Sequence, residues 1–259
     1  MRINNANTAG QQKQLTTAGK LDNGLKYNST VQAIDEGGTL SVEGNQLVFK
    51  GCNSITLLIA AGTNYIFDYD KNYRGEAPEK RISAQLAAAR KQSYASIRSA
   101  HVKDFQSIFN RISIDLGKSS PSQLSKPTNL RKTDAATITD PELEALMFQY
   151  GRYLLISCSR PGCIAANLQG IWNDSKNQVW GSDYHANINV EMNYWPSEPG
   201  NMGECSLPYF DLIQSQLVPW RKATTNAKEL NTPTGEPTKR GFALRTSHNI
   251  YGLTYLEIG

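Results

Sequence analysis

The sequence predicts an α+β, multidomain chain, and three observations carry that expectation. Short runs with a period of two and Gly/Asn-rich connections dominate the N-terminal part. From Arg81 to Asn110 apolar residues recur at helical spacing instead. Beyond a polar stretch rich in Ser, Lys, Thr and Pro, the chain reads as helix and long loop. Residues 1–76 are therefore expected to form part of a β-sandwich domain, 77–138 a helical linker and connecting segment, and 139–259 a helical domain.

In the N-terminal part, Leu25, Tyr27, Ser29, Val31 and Ala33 alternate with Lys26, Asn28, Thr30 and Gln32. Thr39–Val42, Gln46–Phe49 and Ser54–Ala60 follow as short β-rich runs. Their connections, DEGG, EGN and KGCN, are turn chemistry in which Gly and Asn supply positive φ. These meander-like strands are too few to close a sandwich without leaving edges. Ile82, Leu86, Ala89, Tyr94, Ile97, Val102, Phe105, Ile108 and Phe109 then fit one long helix, or two joined near Lys91–Ser93.

Arg111–Leu116 is expected to be a short strand, and the polar stretch Gly117–Thr139 a domain boundary. Asp140 caps the next helix, with Pro141 at its first position and Glu142 and Glu144 in the first turn, where the dipole favours anions. Its expected apolar face is Leu143, Leu146, Met147, Tyr150, Leu154 and Ile156, and SRPG at Ser159–Gly162 stops it. A second helix spans about Cys205–Lys228 and buries Leu207, Phe210, Ile213, Leu217 and Trp220, with Pro219 ending or kinking it.

Composition narrows the function. With 259 residues, 39% hydrophobic and 19% charged, the chain is globular and long enough for a real core. The net charge of +4 is spread along the chain, in pairs such as Arg131-Lys132 and Lys239-Arg240, which argues against a nucleic-acid partner. Cys52, Cys158, Cys163 and Cys205 form no CxxC pair, so no metal is expected. There is no apolar run long enough for a membrane span, and Met1–Gln14 lacks the apolar core of a signal peptide.

The chemistry concentrates in the loop-rich segment Ala165–Gly203. Trp172, Trp180, Tyr184, Tyr194 and Trp195 are interleaved there with Asn173, Asp183, His185, Asn187, Asn189 and Asn193. A sugar has an apolar face of C–H groups and a rim of hydroxyls, and rings beside planar amides answer both. The alternative is that the rings pack the loop on its helices while the amides satisfy its backbone. Trp195, just before Pro196, is expected to pack rather than to present a platform. His185 is not placed as a metal ligand, since His101 and His248 lie in distant segments. Ser182, Asp183 and His185 are adjacent in sequence, which does not make a triad, and no GxSxG elbow is present.

The pairs Asn187/Asn189 and Asp183/Glu191 are sharper. If the backbone is extended, residues two apart point the same way, and two amide oxygens would converge on one water. Amides are poor bases, so a carboxylate behind them is required, and glycoside cleavage further requires an acid for the leaving oxygen. Neither partner is identifiable from residue type alone.

Asn167–Ser175 (NLQGIWNDS), Trp180–Glu198 (WGSDYHANINVEMNYWPSE) and the following NMGECSLPYFDLI resemble the catalytic domain of glycoside hydrolase family 95, the inverting α-L-fucosidases. Phe148–Gly162 is similar to the family's first barrel helix. Leu57–Tyr65, Tyr73–Glu76 and His101–Gly117 are similar to the end of its N-terminal β domain and its helical linker. The resemblance implies a β-sandwich, a helical linker and an (α/α)6 barrel, with hydrolysis of terminal α-L-fucose, typically α1,2-linked to galactose, by inversion and without a cofactor. It implies that Asn187 and Asn189 orient the water and that His185 contacts the sugar near its methyl. It offers His248, in SHN at Ser247–Asn249, as a further substrate contact.

The partner it implies is a fucosylated oligosaccharide or glycan, and a periplasmic or secreted location for the whole protein. The family's acid and activating carboxylate are expected outside residues 1–259, and Leu253–Gly259 departs from the family pattern. On that basis the chain is expected to be an inactive fragment with apolar helix faces left open. An α-L-galactosidase and a non-catalytic sugar-binding protein stand as alternatives.

Overall fold

The computed structural model describes residues 7–11, 13–175, 177–237, 239–252 and 254–255, in two compact units that meet in sequence at Val102 and Lys103. Of the expectations at the chain ends, residues 1–6 and most of residues 253–259 lie outside the described residues.

Alternation and turn chemistry build the first unit. Strands β1 (Asn7–Gln11), β2 (Gln14–Lys20), β3 (Lys26–Glu36) and β6 (Ser54–Thr63) form an antiparallel sheet in the order β1-β2-β3-β6. A separate hairpin pairs β4 (Thr39–Glu43) with β5 (Gln46–Lys50). The four expected strands are present. β1 and β2 were not anticipated, because NTAGQ and QLTTAGK carry almost no apolar alternation. Gly38, at φ +62, must be glycine: a Cβ there would lie 2.3 Å from the Lys50 carbonyl oxygen.

The sheet's polarity is inverted. On β3 it is Asn28, Thr30 and Gln32 that are buried. Thr30 donates to Asn28 Oδ1 at 3.0 Å, so in its 3.0 Å contact with Thr16 the Thr16 hydroxyl donates. Helix α1 (Glu79–Arg90) packs on β3 and β6 through Ile82 and Leu86. On β6, Ile55, Leu57 and Ile59 are exposed, with Ile59 opposite Val31. Antiparallel sheets that face water on one side normally place their apolar residues on the covered face. A break after Arg90 separates α1 from α2 (Tyr94–Phe109), so the helical segment is two helices.

In the second unit, Arg111–Leu116 is not a strand. No strand pairs with it among the described residues, and the Ile112 carbonyl accepts instead from Gln149 Nε2 at 3.0 Å. The polar stretch expected to be a domain boundary has structure of its own. It folds into α3 (Pro121–Leu124), which opens with a Ser120/Gln123 capping box, and α4 (Thr128–Asp134). Arg131 and Asp140 form a buried two-pronged pair, Nη2 to Oδ1 at 2.8 Å and Nε to Oδ2 at 3.0 Å. The Arg131 guanidinium holds the Asp140 carboxyl well below the usual carboxylate range.

Asp140 also caps α5 (Pro141–Cys158), accepting from the Leu143 amide as expected. The buried stripe of α5 is Arg152, Leu155, Ile156 and Cys158, whereas Leu146, Met147 and Tyr150 are open, Met147 to 72%. The expected face was thus correct only toward the C-terminus, where Arg152 ties the helix to its neighbours. Helix α7 (Leu207–Asn226) follows a single 3-10 turn and continues through Pro219. Its buried line is Pro208, Leu212, Gln216, Trp220 and Thr224, so of the five expected residues only Trp220 is fully buried, and Leu207 and Phe210 are exposed. Fully buried Gln216 is tolerated because its Nε2 donates to the Ile250 carbonyl at 3.1 Å.

Candidate active site

The loop between α5 and α7 is pinned by tyrosines. Tyr194 and Ser159 hydroxyls lie 2.8 Å apart, Ser159 donates to the Cys205 carbonyl, and Tyr194 Oη accepts from the Ala166 amide at 2.7 Å. Tyr184 donates to the Ala165 carbonyl at 2.7 Å, and Asn193 Nδ2 donates to the Asn167 carbonyl at 3.0 Å. These bonds satisfy a long irregular backbone from within, which lets it hold one shape. Gly170 tightens it further, since a Cβ there would fall 2.8 Å from the Trp172 ring.

Tyr184 and Tyr194 are thus scaffold, while Trp172, Trp180 and Trp195 are exposed, the last to 67%. Trp195 is therefore not the packing residue expected from its place before proline.

A small sheet organises the rest. β7 (Tyr184–His185) pairs with β8 (Ser247–His248), which pairs with β9 (Thr254–Tyr255). The register sets His185 opposite Ser247 and Tyr184 opposite His248. His248 is fully buried, stacked on Tyr184 at 5.5 Å and edge-on to Trp220 at 5.3 Å. Among the described residues, neither of its ring nitrogens has a hydrogen-bond partner of normal geometry. Burial pushes its pKa down to about 4, with Asp183 and the Arg245 backbone opposing only weakly. A direct substrate contact from His248, as the resemblance implied, does not fit a ring with no exposed surface.

His185, next to Tyr184 on β7, is itself buried, at 8% exposed. Its Nδ1 is 2.5 Å from Asp183 Oδ1, and the Trp180 ring meets it edge-on at 5.6 Å. The Ser247 hydroxyl donates to Asp183 Oδ2. Asp183 is thus engaged with His185 and Ser247, and Glu191 is exposed on α6 (Asn189–Tyr194). Ser247 as the anchor of Asp183 was missed. No local signal marks it, because the two are 64 residues apart.

Asn187 and Asn189 are both exposed, and neither side chain has a hydrogen-bond partner among the described residues. The extended backbone assumed for the pair is absent: Asn187 is in a turn and Asn189 begins α6. Between them Ile188 has φ +87, a conformation costly for a β-branched side chain. Trp180, Gly181 and Ser182 also have positive φ. Backbone strain is therefore concentrated around two free amides, one histidine and an exposed indole. Among the described residues no group of three or more His, Cys, Asp or Glu is arranged to hold a metal, and no helix is long and apolar enough to cross a membrane.

Known proteins share this arrangement of sequence. Residues 93–257 match the glycosyl hydrolase family 95 catalytic domain, and residues 1–67 match the glycosyl hydrolase family 65 N-terminal domain. The chain is 38% identical over 205 residues to alpha-L-fucosidase 2 of Arabidopsis thaliana, covering 77% of this chain and 24% of that protein. It is 33% identical over 243 residues to the probable alpha-fucosidase A of Aspergillus niger (strain ATCC MYA-4892 / CBS 513.88 / FGSC A1513), covering 90% and 30%. With the probable alpha-fucosidase A of Aspergillus oryzae (strain ATCC 42149 / RIB 40) it shares 32% over 208 residues, covering 76% and 28%. The chain thus spans less than a third of the length of each relative. The catalytic-domain match runs through every site residue described above, and the chain belongs to glycosyl hydrolase family 95.

Proposed function

We propose that the protein carrying this chain is an α-L-fucosidase that hydrolyses terminal, α1,2-linked L-fucose from glycans with inversion, on an N-terminal β-sandwich and an (α/α)6 barrel. The observation that carries this reading is the pair of exposed amides of Asn187 and Asn189, unpartnered among the described residues and flanking a strained Ile188 beside His185. Two amide oxygens at one end of a short helix are suited to accept both hydrogens of a water and aim its lone pair at an anomeric carbon. Exposed Trp180 offers an apolar face to the C–H side of the sugar, edge-on to the largely buried His185, for which the family resemblance implies a sugar contact. The names of the relatives, all fucosidases, point the same way.

This site supplies water orientation and sugar contact. Protonation of the leaving oxygen and polarisation of the water need two carboxylates. Asp183 is engaged by His185 and Ser247 and is given neither role, and the family resemblance implies that both fall to carboxylates outside residues 1–259. The 259-residue chain alone is then expected not to turn over substrate, since loss of a general acid alone costs roughly 10²–10⁴-fold.

The test is an assay of the whole protein on an α1,2-fucosylated galactoside and on its L-galactosyl counterpart, following the anomer released by NMR. β-L-Fucose as the first product is expected, with Asn187→Ala and Asn189→Ala each losing hydrolysis but keeping sugar binding. Release of the α anomer first, preference for L-galactose, or full activity in the double variant would overturn the reading.

A further inference from the structure

The polar face of the four-stranded sheet lines a cleft of about 710 Å³, within the roughly 300–1,000 Å³ of sites that take small molecules. β2 and β3 form its floor and α1 one wall, all inside the first unit. On the floor the register sets Gln14 opposite Gln32 and Thr16 opposite Thr30, with Asn28 two residues from Thr30 on the same face. The wall is a single stripe of α1, in which Glu79, Ser83, Leu86 and Arg90 recur at helical spacing. Asn28 is 5% exposed and Gln32 4%. Asn28 Oδ1 accepts from Thr30, but among the described residues Asn28 Nδ2 and the amide of Gln32 have no hydrogen-bond partner. Buried amides are normally paired, because an unmade bond leaves the cost of desolvation uncompensated. These two line a space large enough for a ligand that pairs them.

We propose that this cleft is a binding site for a neutral oligosaccharide of more than one ring, held by the amides of Gln14, Asn28 and Gln32. The floor is uncharged, made of amides and hydroxyls. An amide sets an acceptor beside a two-hydrogen donor, which suits the neighbouring hydroxyls of a pyranose. Leu86 supplies an apolar wall for the C–H groups of the same ring. From Asn28 to Gln32 the strand runs roughly 13 Å, longer than a single pyranose. Glu79 and Arg90 are the first and last residues of α1, roughly 16 Å apart along its axis, so the middle of the cleft is left to uncharged groups.

The test is calorimetric titration of the whole protein with three neutral tetrasaccharides, lacto-N-tetraose, cellotetraose and maltotetraose. The probes carry no fucose, so their binding is independent of fucose hydrolysis, and Asn187→Ala with Asn189→Ala is expected to leave it unchanged. Binding of at least one probe is expected. Gln32→Leu keeps the volume of the side chain and removes its amide, and is expected to weaken that binding roughly tenfold or more. Its thermal stability should equal or exceed wild type, because a leucine there buries no unpartnered amide. Ser83→Trp, at an exposed position on the α1 wall, fills the cleft and is expected to abolish binding. Absence of binding by all three probes, or unchanged binding in either folded variant, overturns the proposal. Should Gln32→Leu fail to fold, Ser83→Trp decides alone. If the probes bind as stated but the whole protein does not hydrolyse L-fucosides, the fucosidase reading fails and the cleft stands.

Discussion

His248 makes stability depend on pH in a window where few other groups titrate. In the unfolded chain an imidazole takes up its proton near pH 6.5, whereas the buried ring resists protonation until about pH 4. The folded value is depressed, so the stability tied to the neutral ring is whole above pH 6.5 and is lost as pH falls through about 4. At about 1.4 kcal/mol per tenfold, the gap is worth about 3 kcal/mol, a large share of the roughly 5–15 kcal/mol typical of a domain. His248→Phe removes the titration while keeping a ring to stack on Tyr184 and to meet the edge of Trp220. Urea unfolding of both proteins at pH 7 and pH 4 is expected to show wild type losing about 3 kcal/mol more than the variant. At pH 7 the variant should match or exceed wild type, because a phenyl ring buries no unpartnered nitrogen. A difference between the two proteins that does not change with pH would refute the reasoning, as would His248 titrating near 6.5 by NMR.

Arg152→Met is expected to cost roughly 3–5 kcal/mol by thermal or urea unfolding. The guanidinium is 1% exposed and donates to the carbonyls of Ile108, Phe109, Ile112 and Gly200 and to Gln149 Oε1, so its loss strands several buried acceptors at once. A loss below about 1 kcal/mol would show that those carbonyls find other partners. Ile188→Gly should leave stability unchanged or raise it by up to about 2 kcal/mol, since relief of the left-handed backbone outweighs glycine's entropy and the side chain is largely exposed. Hydrolysis by the whole protein should nevertheless fall, as the two amides lose their fixed spacing. Lower stability together with full activity would contradict the idea that strain is stored at the site.

What was legible in the sequence was local. Asp140 before Pro141, the break near Lys91–Ser93 and the strands from β3 to β6 are specified by neighbours in the chain, and all appear. The faces of α5 and α7 were misjudged because hydropathy ranks Met147 or Phe210 above Arg152 or Gln216. It does not register that Arg152 and Gln216 are satisfied by carbonyls 34 or more residues away. Residues Arg111–Leu116 alternate like a strand, yet pairing is a property of two segments and no second one is there among the described residues. The density of rings and amides singled out the loop that carries the exposed side chains of Trp172, Trp180, Asn187 and Asn189. The turn at Asn187–Ile188 and the bond from Ser247 to Asp183 belong to the folded backbone, and no residue pattern announces them.

The two-residue ladder of β7 and β8 has a consequence for how this site can vary. Register in so short a pairing is held by few hydrogen bonds, and a slip of one residue exchanges the two faces. A slipped β8 would take His248 off its stack on Tyr184 and bring Ser247 opposite Tyr184, removing the anchor of Asp183 and the ring packed on Tyr184 in one step. The length of the segment between α7 and Ser247 is therefore not neutral, although loop insertions cost little in chain entropy. A residue gained or lost there changes the alignment of a histidine some sixty positions earlier in the chain.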